Sequence, residues 1–161
     1  MATPVFGIVG RKNAGKTTLV ARLVRHLSDA GLRVSTVKHA HHALDVDREG
    51  TDSWKHREAG AREVALIGAN RWALMHELRG SAEPSLDEML AIMSPADLIL
   101  VEGFKGGAHP KLEVLAGPDR LDPSVCPNVV AVAGPGAPFD RDDVAGIGRF
   151  ILQHVGLRVG T

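Results

Sequence analysis

The chain alternates between short apolar runs and longer amphipathic stretches. Residues 5–9, 98–101, 112–115 and 129–133 are compact apolar segments bounded by glycine, proline or charge, and 34–38 is a more polar version of the same kind. Runs of this length read as strands buried within a sheet. Between the first two, residues 16–30 place Leu19, Val20, Leu23, Val24 and Leu27 on one helical face, and Gly31 follows as a stop. Residues 39–53 are polar and charged and predict a loop. Ser53 or Asp52 is expected to cap a short helix running to Ala59, ahead of strands at 64–67 and 72–76 that would complete a mixed sheet. Ser85 with Glu88 three residues on forms a capping box for a helix ending near Ser94, and a last helix is expected over about 142–155. Segments 116–128 and 134–138 are the candidate flexible connections. Strands alternating with helices predict an α/β fold in one domain over residues 1–161, with a mostly parallel sheet flanked by helices and some antiparallel strands.

Composition narrows the function. The 161 residues are 44% hydrophobic, enough for one substantial core, and carry 19 basic against 19 acidic side chains. Balanced charge gives no global attraction to nucleic acid or to an anionic membrane, so neither is an expected partner and any bound anion must be gripped locally. No apolar run is long enough to span a bilayer. One cysteine, Cys126, and an N-terminus without a secretory pattern place the expected compartment in the cytoplasm.

A local grip on an anion is present. Gly10-Arg11-Lys12-Asn13-Ala14-Gly15-Lys16-Thr17 matches G-x-x-x-x-G-K-[ST] in full, fed by the strand at 5–9 and leading into a helix. The backbone N–H groups of such a loop point inward at phosphate oxygens, and the helix N-terminus adds its positive end. Gly10, Asn13, Ala14, Gly15, Lys16, Thr17 and Thr18 are therefore the candidate nucleotide-binding residues. Lys16 would reach the terminal phosphates and Thr17 would offer its hydroxyl to Mg²⁺. A second acid-bearing strand ends Leu98-Ile99-Leu100-Val101-Glu102, which makes Glu102 the candidate carboxylate partner of that magnesium, with Asp97 a junction residue at the strand's entrance. Asp45 and Asp47 are further, weaker magnesium candidates, Asp47 being the preferred one. Together these features define a P-loop nucleoside-triphosphate-binding fold.

The loop at 39–53 is more distinctive than the phosphate loop. Its run Lys38-His39-Ala40-His41-His42, then Asp45-Val46-Asp47, Gly50, Asp52-Ser53 and Ala59-Gly60-Ala61, resembles the signature of the molybdopterin-guanine dinucleotide biosynthesis protein B (MobB) family, as do Arg71-Trp72-Ala73-Leu74-Met75 and the segment from Asp97 to Lys105. The resemblance spans roughly residues 4–155. It departs from the family at Thr51, where a lysine is common, and at Asn13 or Ala14, where Ser or Thr is frequent. The resemblance implies a dimeric accessory protein that binds GTP and Mg²⁺, hydrolyses GTP weakly, and assists attachment of GMP to molybdopterin. Its implied partners are the molybdenum cofactor guanylyltransferase and the molybdenum-inserting protein. The guanine-reading N-K-x-D motif is missing, so the preference for GTP over ATP comes from the resemblance, and the strand at 128–133 with the turn at 134–138 is the place to look for base contacts. The loop at 39–53 is expected to respond to the γ-phosphate.

Two other readings share the phosphate loop. A metallochaperone GTPase would use His39, His41 and His42 as metal ligands. A small-molecule kinase would use Lys105 or Lys111 toward its acceptor.

Overall fold

A computed structural model describes residues 3–40 and 47–158. The chain folds as two compact units, residues 1–39 with 92–161, and residues 40–91. In the first unit β1 (Val5–Gly10) leads into α1 (Lys16–Asp29) and β2 (Val34–Lys38), and the chain returns as β5 (Leu98–Glu102), β6 (Lys111–Val114), β7 (Val129–Ala133) and α4 (Val144–His154). The second unit holds α2 (Asp52–Glu58), the strands β3 (Glu63–Ile67) and β4 (Trp72–His76), and α3 (Leu86–Ile92), whose last residue opens the return stretch of the first unit.

The five strands of the first unit lie in the order β2-β5-β1-β6-β7, with every neighbouring pair parallel. Parallel pairing demands a crossover between strands; α1 supplies the one from β1 to β2, while β6 reaches β7 through a loop without a helix. Alternate residues of the central strands face α1 and α4. Phe6, Ile8, Leu98, Leu100, Leu112 and Val114 pack against Leu19, Leu23 and Leu27 of α1 and Ile147 and Ile151 of α4. Each fully buried aliphatic or aromatic side chain of this set stabilises the fold by about 1.5–3 kcal/mol relative to exposure. The central strands β1 and β5 are buried along nearly their whole length, as their unbroken apolar runs require.

The other face carries two charges where the pattern predicts none. Lys111 and Glu113 are fully buried. Loops fold down to meet them. The Lys111 ammonium donates to the carbonyls of Gly107, His109 and Pro127, and the Glu113 carboxylate accepts from Arg120 Nε at 2.5 Å and Leu121 N at 2.6 Å. A buried ion is tolerated only when its donors or acceptors are filled in this way. Segment 116–128, expected to be flexible, is thus tethered at Arg120, Leu121 and Pro127, and the Cys126 side chain between them is buried.

In the second unit β3 and β4 pair antiparallel as a hairpin of their own rather than joining the main sheet, which corrects the expectation of one mixed sheet. The α2 cap is also corrected. Thr51 is the N-cap residue, its Oγ1 accepting from Trp54 N at 3.4 Å, in place of Ser53 or Asp52. The capping box of α3 forms as its spacing predicts: Ser85 N donates to Glu88 at 2.8 Å and Glu88 N to Ser85 Oγ at 3.3 Å. Among the described residues no helix is long and apolar enough to cross a membrane.

Candidate nucleotide-binding site

The site forms where β1, β2 and β5 end, at the carboxyl edge of the parallel sheet where ligands of this architecture gather. β1 runs straight into the glycine-rich loop. Gly10 has φ 151°, and a Cβ built there would lie 2.4 Å from the Val114 carbonyl oxygen of β6. Only glycine lets the chain leave the strand this close to its neighbour. Asn13 takes the left-handed conformation at φ 62°, which asparagine tolerates better than a β-branched residue, and Gly15 follows at φ 93°. The Ala14 side chain turns into the core and is fully buried, so this position offers only its backbone to a ligand.

Gly15 is the N-cap of α1, and among the described residues no side chain caps this helix end. Its first turn holds no acidic residue. The opening N–H groups and the positive end of the helix dipole are therefore left for an anion. Lys16 Nζ lies back across the loop and donates to the Arg11 carbonyl at 2.7 Å. Burial holds the Lys16 ammonium below the usual lysine range; Glu102 opposes that shift, and the charges of Lys105 and Lys38 add to it. Thr18 is exposed on the next position of the helix and, with Thr17, Ala21, Arg22 and Arg25, lines an open groove of about 460 Å³. The segment after β7 reaches the same loop, with Arg141 Nη1 3.5 Å from the Ala14 carbonyl.

Thr17 and Glu102 meet directly. Thr17 Oγ1 donates to Glu102 Oε1 at 2.7 Å. Glu102 ends β5 and is buried, with 8% of its surface exposed, so its carboxylate is aimed at the phosphate loop and held there. A hydroxyl and a carboxylate this close are the hard oxygen donors that magnesium takes, so the pair would suit that ion. Gly103 and Phe104 both take positive φ just beyond, and a Cβ at Gly103 would lie 2.9 Å from His39 Cβ, so glycine is needed where β5 passes the end of β2.

Several other candidates have partners of their own. Asp47 accepts from Ser53 Oγ at 2.7 Å and Thr51 Oγ1 at 3.0 Å, and its second oxygen lies 3.4 Å from Arg57 Nε. The Ser53 hydrogen bond, with that of Thr51 and the Arg57 charge, holds its carboxyl below the ordinary range despite burial. Asp47 thus anchors the start of α2, and the metal site proposed below rests on Thr17 and Glu102. The His39 ring stacks on Phe104 with centroids 4.5 Å apart, while His41, His42 and Asp45 lie outside the described residues. Among the described residues no three metal-ligating side chains cluster. Lys111, offered as an acceptor-binding residue of a kinase, is fully buried and held by three carbonyls, which corrects that assignment. Asp97 is the junction residue expected: it accepts from Arg33 N at 2.7 Å and pairs with its guanidinium at 2.8 Å, and those hydrogen bonds push its carboxyl down to about 2.

Sheet order, glycine-rich loop and the threonine–carboxylate pair together define a P-loop fold. Residues 5–134 match the family model of molybdopterin guanine dinucleotide synthesis protein B. The chain belongs to this MobB family. It is 35% identical to the molybdopterin-guanine dinucleotide biosynthesis adapter protein of Escherichia coli over 161 aligned positions, covering 93% of this chain and 92% of the relative. A Haemophilus influenzae protein with the same description is 44% identical over 112 residues, 68% of this chain and 61% of that protein's length. Among solved structures, that of Bacillus subtilis MobB superposes with a TM-score of 0.77 at 26% identity, covering 94% of this chain and 98% of the other. A second MobB crystal structure gives 0.76 at 29% identity, covering 93% and 99%.

Proposed function

We propose that the chain is a GTP- and magnesium-binding adapter of molybdopterin-guanine dinucleotide synthesis, assisting the guanylyltransferase that attaches GMP to molybdopterin. The observation that carries the nucleotide half is the pairing of Thr17 with Glu102 at the uncapped N-terminus of α1. Backbone N–H groups of residues 10–18 bind the phosphates, Lys16 moves from the Arg11 carbonyl to the terminal phosphates, and Thr17 and Glu102 hold the metal. Bound magnesium would neutralise the charge that develops between the β- and γ-phosphates. The protein's own residues orient the phosphates. Without a glutamine to position water or an arginine finger, hydrolysis is slow. Guanine preference and the partner rest on family membership, and the approach of Arg141 to Ala14 supports the segment after β7 as the wall against which the base sits.

An adapter also needs surfaces for other chains. The β3–β4 hairpin exposes Ile67 and Trp72, 87% and 70% accessible, together with Leu66 and Leu74. Large apolar groups exposed on this hairpin favour pairing with a second copy of the chain. This supports a homodimer.

The metal assignment has a specific consequence. Glu102→Gln keeps the shape and the hydrogen bond to Thr17 but removes the charge. Triphosphate affinity is expected to fall roughly 10- to 100-fold in magnesium and to change little in chelator, as read by equilibrium titration with a non-hydrolysable GTP analogue. An equal loss under both conditions would make Glu102 a structural residue.

A further inference from the structure

We infer that Lys38 is the resident cation of the magnesium site: its ammonium occupies the Thr17–Glu102 edge and must yield that edge when a metal–triphosphate enters. The inference rests on the reading of Thr17 and Glu102 given above and extends it to a residue outside the phosphate loop.

Lys38 Nζ lies 3.3 Å from Thr17 Oγ1 and 3.4 Å from Glu102 Oε1, the two oxygens that themselves stand 2.7 Å apart. One ammonium therefore bridges the very pair a divalent ion would bridge. The Thr17 hydroxyl donates its proton to Glu102 and accepts from Lys38, so one of the oxygen's two lone pairs is engaged by the lysine. The arrangement is set by the backbone. Lys38 and Glu102 are Cα partners in the parallel register of β2 and β5, both at the last position of their strands, and His39 N donates to the Glu102 carbonyl at 2.9 Å. A lysine at this register point is delivered to the Glu102 carboxylate whatever the loops do.

The charge balance explains why a cation belongs there. The Glu102 carboxylate is largely withdrawn from water while Lys16 is turned back onto the Arg11 carbonyl. A buried carboxylate without a counter-charge is costly. Lys38 offsets that cost and, with 58% of its side chain exposed, remains free to leave. Lysine suits this task better than arginine: it is a compact point charge on a flexible stem and makes no bidentate clamp. The ammonium half of the pair faces water, so a divalent ion arriving with a triphosphate displaces it. Lys38 is also the last residue of β2, and its release is felt first by His39, which stacks on Phe104 just beyond Glu102. The cation exchange thus ties metal occupancy to the ends of two strands.

The test uses the whole chain and the variants Lys38→Met and Lys38→Arg, with a fluorescent non-hydrolysable GTP analogue titrated at free Mg²⁺ from chelator to saturation, and thermal melting to confirm folding. Removing the competitor should lower the half-saturating Mg²⁺ concentration about 2- to 5-fold in Lys38→Met, the range expected for an exposed ion pair, and should weaken binding in chelator because the stand-in cation is lost. Lys38→Arg, which restores the charge, should return the magnesium midpoint toward the parent value. A midpoint in Lys38→Met that is unchanged or raised would overturn the inference while leaving the magnesium site standing. Parent affinity indifferent to Mg²⁺ would overturn the Thr17–Glu102 reading and Lys38's role with it.

Discussion

Lys16→Ala is expected to abolish triphosphate binding at micromolar concentration while leaving the fold intact. Lys16 opens α1 but lies outside the core cluster, and its ammonium contacts only the Arg11 carbonyl among the hydrogen bonds described. Little packing is lost on truncation. What is lost is the mobile charge over the terminal phosphates, where charge-assisted hydrogen bonds contribute about 1.5–3 kcal/mol each. Two such bonds amount to roughly a 100-fold loss of affinity or more. The melting temperature should stay close to that of the parent, since removal of a partly exposed side chain at a loop–helix junction is usually within about 0.5 kcal/mol. A variant that binds the triphosphate as tightly as the parent would remove the phosphate loop from the account, and one that fails to fold would make Lys16 structural.

The second large effect is on stability. Gly10→Ala should cost several kcal/mol of unfolding free energy, because the new Cβ would lie 2.4 Å from the Val114 carbonyl oxygen, a rigid backbone atom in the centre of the sheet, at φ 151°. Strained backbone alone costs on the order of 1–3 kcal/mol. The clash adds to it, since β1 and β6 cannot separate without breaking the ladder that pairs Gly10 with Val114. Gly31→Ala is the internal control: its φ is also positive, at 88°, but nothing lies within 4 Å of its Cβ. That substitution should cost only about 1–2 kcal/mol, the left-handed penalty. Denaturant titration of the two variants separates sterics from conformation. Equal losses would show that the sheet accommodates a methyl group at Gly10, and that the glycine is there for the ligand alone.

Much of the fold was legible because its strands are buried on both sides. The apolar runs at 5–9, 98–101 and 129–133 sit within β1, β5 and β7, and the periodicity of α1 matches its buried face at Leu19, Val20, Leu23 and Leu27. The phosphate loop was legible because its spacing and glycines are dictated by backbone conformation. What the pattern could not supply was partnership. β3 and β4 read as strands but nothing in their composition says that they pair only with each other. Lys111 and Glu113 look like surface residues because a sequence does not show that loop carbonyls and amides come down to satisfy them. The α2 cap was misplaced because Thr51, Asp52 and Ser53 are all good caps, and the choice is made by Asp47 reaching back to Thr51 and Ser53. Lys38 reads in the sequence as the end of a strand and the first residue of the histidine-bearing run. Its signal lies in the register, since a strand ending in lysine beside a strand ending in glutamate juxtaposes the two charges, and which strands are neighbours is what the sequence leaves unstated.

The central claim is that this site holds a guanine nucleotide through magnesium. The most direct measurement is equilibrium titration of GTP and ATP against the purified chain, each in excess Mg²⁺ and in chelator. The account predicts saturable GTP binding that is strengthened by magnesium and tighter than that of ATP. Binding of neither nucleotide, or binding indifferent to both base and metal, would contradict it.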